Sequence, residues 1–233
     1  MKSQMRAAVV VLAAGSGSRF GHVTNKVWLP LSGRRIISRS LVNATKSFRG
    51  CRTILIINPD DAQLAKTTLA REVTQLKVEI VPGGATRHES EYHALTYLAP
   101  EIESGEINVV LIHDGARPLA TSSLFRNIAE AAHRHGGALP AIKVSLREMD
   151  LQSSETVVRV QTPQAFQAEP LLTAYRQAYQ DEFHGTDTAA CMEKYFPDIQ
   201  TKAVEGEVSN VKITYPQDLA IAEHVLEVRR YKD

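Results

Sequence analysis

The sequence predicts an α/β protein with a mainly parallel sheet and helices on both faces. Continuously apolar runs recur at 7–13, 53–58, 78–82, 109–113 and 138–144. Amphipathic stretches near 36–44, 61–73, 89–98 and 122–134 separate them. Polar or glycine-rich clusters then follow three of the runs, from Gly15 to Lys26, Gly83 to Ser90 and His113 to Pro118. Unbroken apolar runs mark parallel strands buried on both faces. Alternation with helices calls for right-handed crossovers, which bring the carboxyl ends of the strands to one edge. Ligands bind at that edge in such sheets, so the three clusters are expected to form one site.

The first strand, Ala7 to Ala13, stops at Ala14-Gly15-Ser16-Gly17-Ser18-Arg19, with Lys26 shortly after. Glycines free the backbone to turn its N–H groups toward an anion, and Arg19 and Lys26 add full positive charge. The glycines fall at 15, 17 and 21, so G-x-G-x-x-x-G misses the dinucleotide pattern G-x-G-x-x-G by one residue. No acid closes a second strand about 20 positions on, where a ribose-binding carboxylate would stand. A glycine-lysine-hydroxyl run of the Walker type is absent as well. What remains is a phosphate cradle of another kind, or a tight strand-to-helix turn with a surface arginine.

Beyond the fifth strand the alternation breaks. Residues 145–160 are mixed and polar, fitting a loop or a short hairpin arm. Helices are expected at 170–180 and 186–195, strands at 199–204 and 210–214, and a last helix from Pro216, where proline suits a first turn. No repeat, linker or low-complexity segment divides the chain, so residues 1–233 are expected to be one domain.

Composition narrows the function. With 43% hydrophobic and 23% charged residues, the 233-residue chain reads as a soluble globular protein. A formal charge of +1 gives no basic field for a nucleic acid backbone, so any anion site must be local. No apolar run approaches the roughly 18 residues of a membrane span. Cys51 and Cys191 make neither a disulfide framework nor a zinc pattern. Met1 to Arg6 leads into the first strand without a cleavable small-residue site, and the expectation is a cytoplasmic enzyme.

The chemistry-bearing residues follow the strand ends. In Gly83-Gly84-Ala85-Thr86-Arg87, with Ser90 beyond, backbone groups can hydrogen-bond a flat base; the plain alternative is a turn. Asp114 can share Mg²⁺ with phosphate oxygens, since hard cations take carboxylate and phosphate ligands together. Arg117 can grip a second phosphate through its planar fork, or form a surface ion pair of little worth. His113 is expected to pack and hydrogen-bond beneath the site. Thr162, in Gln161-Thr162-Pro163-Gln164, offers a hydroxyl at a proline turn. Lys212 lies in an otherwise apolar run and needs an anionic partner unless it snorkels out. Gly185-Thr186-Asp187-Thr188 reads as a helix N-cap.

Taken in order, Leu12-Ala13-Ala14-Gly15-x-Gly17-x-Arg19, Lys26, Gly83-Gly84-x-x-Arg87-x-x-Ser90, His113-Asp114-x-Ala116-Arg117-Pro118, Thr162-Pro163-Gln164, Thr186-Asp187 and Asn210-x-Lys212 resemble the 2-C-methyl-D-erythritol 4-phosphate cytidylyltransferase family of the non-mevalonate isoprenoid pathway, and the related ribitol-5-phosphate cytidylyltransferases. The resemblance spans about residues 7 to 225. It implies a Rossmann-like three-layer α/β/α nucleotidyltransferase fold with a dimerisation arm around 145–160, and a homodimer. It implies that Ala13, Ala14, Gly84, Ala85 and Ser90 surround cytosine, and that Gly15, Ser16 and Gly17 hold the triphosphate. Arg19 and Lys26 neutralise that triphosphate, and Asp114 binds Mg²⁺. Arg117, Thr162 and Lys212 meet a polyol phosphate, with Arg19, Lys26 and Lys212 in catalytic roles. The implied reaction is in-line attack of an acceptor phosphate oxygen on the α-phosphorus of CTP, with no general base and with charge stabilisation supplying catalysis.

Several positions depart from the family pattern. Ala85 replaces a frequent acid, Asn25-Lys26-Val27 replaces Pro-Lys-Gln, and Ser209 replaces an acid before Lys212. Ser145-Leu146 stands where an Asp-Thr pair begins the arm, and Ser154 where an arginine is expected, leaving Arg147 or Arg159 as candidate substitutes. Methylerythritol phosphate is therefore the leading acceptor and ribitol phosphate or another polyol phosphate the alternative. A non-catalytic CTP-binding protein and a nucleotidyltransferase using UTP or GTP are the other readings.

Overall fold

A computed structural model describes residues 4–15, 25–144 and 157–231. It begins with β1 (Ala7–Ala13), the hairpin β2 (Pro30–Leu31) and β3 (Arg34–Arg35), α1 (Ile36–Thr45), β4 (Arg52–Ile57), α2 (Ala62–Glu72) and β5 (Glu79–Pro82). Next come α3 (Arg87–Tyr97), α4 (Ala99–Glu103), β6 (Val109–Asp114), α5 (Ser122–His135), β7 (Gly137–Lys143) and β8 (Val158–Val160). The chain closes with β9 (Gln164–Gln167), α6 (Ala168–Gln180), α7 (Thr188–Tyr195), β10 (Thr201–Glu205) and α8 (Pro216–Arg230).

Seven of the strands form the sheet path β10-β7-β9-β6-β1-β4-β5, and β8 pairs with β7 off this path. β1 lies parallel between β4 and β6, β5 extends β4 in parallel, and β10 extends β7 in parallel. β9 runs antiparallel to both β6 and β7, and β8 antiparallel to β7. The sheet is therefore mostly parallel, and the carboxyl ends of β1, β4, β5 and β6 share one edge.

Successive strand residues point to opposite faces, and the apolar runs supply both. Val9, Val11 and Ala13 of β1 join Leu55, Leu111, Ile37, Leu41, Phe125 and Ile128 in one core, covered by α1, α2 and α5. Ala8 and Val10 join Ile54, Ile112, Leu95, Leu171, Tyr175 and Met192 in the other, under α3, α6 and α7. Each fully buried Leu, Ile or Phe side chain contributes roughly 1.5–3 kcal/mol. A third small cluster of Leu31, Ile36, Leu119, Ile213 and Ala222 anchors α8.

Three helices, α3, α5 and α7, start at side-chain caps. Thr86 accepts the Glu89 N–H, Thr121 the Leu124 N–H and Asp187 the Ala190 N–H, each at 2.9–3.1 Å. The N-cap reading of 185–188 is met by Asp187.

Two elements differ from expectation. The strand at 210–214 does not form, because this segment crosses the carboxyl end of β6 instead of joining the sheet. Its backbone bonds to a loop, with the Ile213 N–H donating to the Ala116 carbonyl at 2.9 Å. And 164–167, read only as a strand end turned by proline, is an antiparallel strand inserted between β6 and β7. Residues 145–156 of the expected arm lie outside the described residues; its last part is β8, exposed at Val158, Arg159 and Val160.

Candidate active site

The carboxyl ends of β1, β4, β5 and β6 open into a cleft of about 490 Å³. Ala13, Ala14, Gly15, Lys26, Gly84, Ala85, Arg87, Ser90, Asp114 and Lys212 are on its walls. Residues from all three strand-end clusters thus face one space, joined by Lys212 from far along the chain. Arg117 and Thr162 lie behind the wall. Ser16, Gly17 and Arg19 lie outside the described residues.

One wall is Ala14 and Gly15 at the end of β1 and the turn that carries Lys26. The Asn25 amide donates to the Ala13 carbonyl at 2.6 Å, tying the start of that turn to the strand. Lys26 opens a 3₁₀ turn through Trp28, whose buried indole N–H donates to Asp61 at 2.8 Å. Val27 is buried beside it. The change from Pro-Lys-Gln to Asn25-Lys26-Val27 therefore leaves the lysine on an anchored turn. Gly15 needs no special backbone conformation: it has no left-handed φ, and a Cβ there would meet none of the described residues.

The opposite wall is the loop after β5. Here glycine is required by contact, because a Cβ on Gly83 would lie 2.5 Å from the Ala14 Cβ and 2.9 Å from Ile56 Cγ2 and Ser90 Oγ. The Ser90 hydroxyl accepts the Gly84 N–H at 3.1 Å and donates to the Thr86 carbonyl at 2.8 Å, shaping the loop from inside. Glu89 accepts the Ala85 N–H at 2.7 Å. It packs over Gly84, where a Cβ would displace the Glu89 side chain.

Asp114 forms the floor between three cations. Lys212 Nζ is 2.7 Å from Oδ2, Arg117 Nε is 3.7 Å from Oδ2, and Arg87 Nη1 pairs with Oδ1. Burial alone would raise the Asp114 carboxyl, but the charges of Arg87, Lys212 and Arg117 outweigh it and hold the group well below the usual carboxylate range. The floor is thus ionised, and the four groups together carry a surplus of positive charge.

Beneath it runs a fixed chain of hydrogen bonds. The Asp114 N–H donates to Thr162 Oγ1 at 3.0 Å, and Thr162 Oγ1 lies 3.2 Å from His113 Nδ1. His113 Nε2 lies 3.1 Å from the Arg117 carbonyl. A carbonyl only accepts, so Nε2 carries the proton, Nδ1 accepts, and the Thr162 hydroxyl donates to it. Burial depresses the His113 pKa to about 4, which keeps the ring neutral. Thr162 is consequently a brace under Asp114, and His113 fills the packing role expected of it.

Lys212 reaches the floor without a strand because Asn210 pins its segment. The Asn210 amide donates to the Thr162 carbonyl at 2.9 Å, and its own carbonyl accepts Arg117 Nη1 at 2.8 Å. Ser209, where an acid was expected, accepts Arg229 of α8 at 2.8 Å. Burial pulls the Arg117 pKa down against Asp114, and the charges of Arg87 and Arg159 pull the same way. Of the two candidate substitutes for the arm arginine, Arg159 thus sits within electrostatic range of Arg117, while Arg147 lies outside the described residues.

Sequence reasoning missed the anchoring roles of Asn25 and Asn210 and the place of Arg87 on the floor. Glu91, one helical turn beyond Arg87, was missed too. An acid among the apolar positions of a helix, four residues after an arginine, was the available signal.

As a metal ligand set, the described residues contain no group of three or more His, Cys, Asp or Glu side chains. Asp114 is the single carboxylate that the described residues place on the cleft wall. One carboxylate suits a hard cation that takes its other ligands from phosphate and water, not one caged by protein alone.

The sequence model of the 2-C-methyl-D-erythritol 4-phosphate cytidylyltransferase family matches residues 7–228. The chain belongs to this family. It is 35% identical to the 2-C-methyl-D-erythritol 4-phosphate cytidylyltransferase of Bacillus mycoides over 95% of its length and 98% of that protein's. The corresponding protein of Geobacillus kaustophilus is 35% identical, over 97% and 99%. Among solved structures, the 4-diphosphocytidyl-2C-methyl-D-erythritol synthase of Anaerococcus prevotii superposes with a TM-score of 0.77 at 27% identity, covering 96% of each chain. The cytidylyltransferase of Thermus thermophilus superposes at 0.69 with 27% identity, over 97% of this chain and all of that one. The fold is thus the α/β nucleotidyltransferase fold that the motifs implied.

Proposed function

We propose that this protein transfers CMP from CTP to 2-C-methyl-D-erythritol 4-phosphate and releases pyrophosphate. Membership of the cytidylyltransferase family over residues 7–228 carries the reading, and the cleft supplies chemistry that fits it. The base is proposed to lie between Ala13 and Ala14 on one wall and Gly84 and Ala85 on the other, small residues that leave room for a flat ring. The triphosphate lies toward Gly15 and Lys26, where the local positive charge replaces the basic field that the whole chain lacks. An acceptor phosphate oxygen attacks the α-phosphorus, the new P–O bond forms, and the bond to the β-phosphate oxygen breaks. Lys26 and Lys212 stabilise the charge that builds on the phosphoryl oxygens.

No proton has to be removed from a phosphate monoester dianion, so the reaction needs no general base. The neutral, fully engaged His113 is consistent with that. Asp114 would hold Mg²⁺ together with phosphate oxygens; when bound, the ion neutralises charge on the leaving pyrophosphate. Arg117 and Arg159 supply positive charge on the acceptor side. A second copy of the chain is proposed to cover the groove between β7, β8 and β10, where Val158 and Val208 are exposed. No helix among the described residues is long and apolar enough to cross a membrane. With CTP as substrate, the proposed location is the cytoplasm.

The test offers purified protein CTP and Mg²⁺ with each acceptor in turn while pyrophosphate release is followed. Release is expected with 2-C-methyl-D-erythritol 4-phosphate. Release with ribitol 5-phosphate alone would reassign the acceptor. CTP binding without turnover on any polyol phosphate would reduce the protein to a nucleotide binder, and preference for UTP or GTP would reassign the donor.

A further inference from the structure

Glu91 is a carboxylate at the heart of the second core, 1% exposed, on α3 one turn past Arg87. Three groups face it. Arg87 Nε lies 2.8 Å from Oε1, the Tyr175 hydroxyl of α6 donates to Oε2, and the Thr188 hydroxyl at the start of α7 donates to Oε2 at 3.3 Å. Burial pushes the Glu91 carboxyl up, while Arg87 and the two hydroxyls pull it back. A buried ion is costly in a core that an apolar side chain would fill at less expense. Its neighbours Ala94 and Leu95 on the same helix do fill it that way.

What Glu91 adds is a second hold on Arg87. That guanidinium spans two carboxylates, with Nε against Glu91 and Nη1 against Asp114. Nε and Nη2 are both buried, and neither has a hydrogen-bond partner among the described residues, so Glu91 holds Nε as an ion pair. An orphaned guanidinium N–H is an expensive thing to leave in place, and Arg87 lines the cleft. Held only by Asp114, the planar fork would rotate about that single contact. Held at two corners, its third nitrogen stays where it is.

We propose that Glu91 is a positioning residue for nucleotide transfer, fixing Arg87 so that its guanidinium stays locked against Asp114 on the wall where the nucleotide binds. This rests on the transfer reading above. It also accounts for why an acid stands inside α3: the carboxylate acts through the arginine and does not touch the substrate.

The experiment compares CTP affinity by calorimetry, steady-state constants and melting temperature for the parent, Glu91→Gln, Arg87→Met and the double variant. Glu91→Gln keeps shape and loses charge. It is expected to weaken CTP binding and kcat/KM for CTP about tenfold, the scale of one charge-assisted hydrogen bond, with KM for the acceptor unchanged. On the Arg87→Met background, which removes the group being positioned, Glu91→Gln is expected to change CTP affinity less than about twofold. The double variant buries no unpaired charge, so it keeps the cycle readable should Arg87→Met alone melt early. Parent-like CTP affinity in Glu91→Gln, or an equal loss with and without Arg87, would overturn the proposal. A parent that binds no CTP would overturn it together with the transfer reading. A parent that binds CTP but transfers nothing would overturn the transfer reading alone, with the four affinities still deciding the role of Glu91.

Discussion

Lys212 reaches Asp114 at the cleft floor, Nζ to Oδ2 at 2.7 Å, from a segment that belongs to no strand. The lysine is 38% exposed at its side chain and the aspartate 8%, so the cation faces the cleft and the anion is the fixed partner. Replacing Lys212 by alanine should leave the fold standing and remove a cation from the reacting phosphate. Turnover is expected to fall at least about a hundredfold with the melting temperature little changed, by analogy with loss of one oxyanion-hole donor. Near-parental kcat would take Lys212 out of the mechanism.

Asp114→Asn acts in the opposite sense, because it leaves Arg87, Arg117 and Lys212 without their common counter-charge. Breaking a buried pair this way costs about 3 kcal/mol or more. Chemical denaturation should show that loss, together with loss of turnover.

The close approach at Gly83 gives a prediction about shape. A methyl group there meets Ala14, Ile56 and Ser90 at 2.5–2.9 Å, so Gly83→Ala must push the two base-facing loops apart. Overpacking of this kind costs about 1–3 kcal/mol. KM for CTP should rise while KM for the acceptor holds, which steady-state kinetics with each substrate varied separately would reveal.

His113 makes stability depend on pH. Its folded pKa is depressed to about 4 from 6.5, so between those values the unfolded chain binds a proton that the native protein refuses. Stability therefore falls as the pH drops through this window, by about 3 kcal/mol at its lower end, and this contribution is absent above pH 6.5. Denaturant midpoints at pH 7 and pH 5 measure the fall. The His113 ring resonances should not titrate over the same range in the folded protein.

Much of this arrangement was legible in the sequence, for physical reasons that can be named. Unbroken apolar runs and strand-end clusters located β1, β4, β5, β6 and the loops at Gly83 and Asp114, because burial on both faces and ligand binding at carboxyl ends are local consequences of a parallel sheet. Long-range choices were not legible. Nothing local tells that 164–167 inserts antiparallel between β6 and β7, or that 210–214 forgoes the sheet to carry Lys212 to Asp114. Thr162 offered a hydroxyl by composition, and only the fold shows it spent on Asp114 and His113. Arg87 stood inside a quoted motif, but its partner Glu91 is visible as a partner only once α3, α6 and α7 are packed together.

The proposed metal dependence rests on Asp114, the one carboxylate on the cleft wall among the described residues. A chelator should abolish turnover and added Mg²⁺ should restore it. Equilibrium dialysis should find the ion retained with CTP present and not without it, since phosphate oxygens complete the ligand set. Tight retention by the protein alone would contradict this account of the floor.

The central claim is that the acceptor phosphate attacks the α-phosphorus of CTP directly, in a cleft whose cations do the catalysis and whose histidine does not. The most direct measurement uses CTP made chiral at the α-phosphorus by sulfur substitution and determines the configuration of the product. A single in-line displacement predicts inversion. Retention would mean that the nucleotide is first passed to a group on the protein, and would contradict the account.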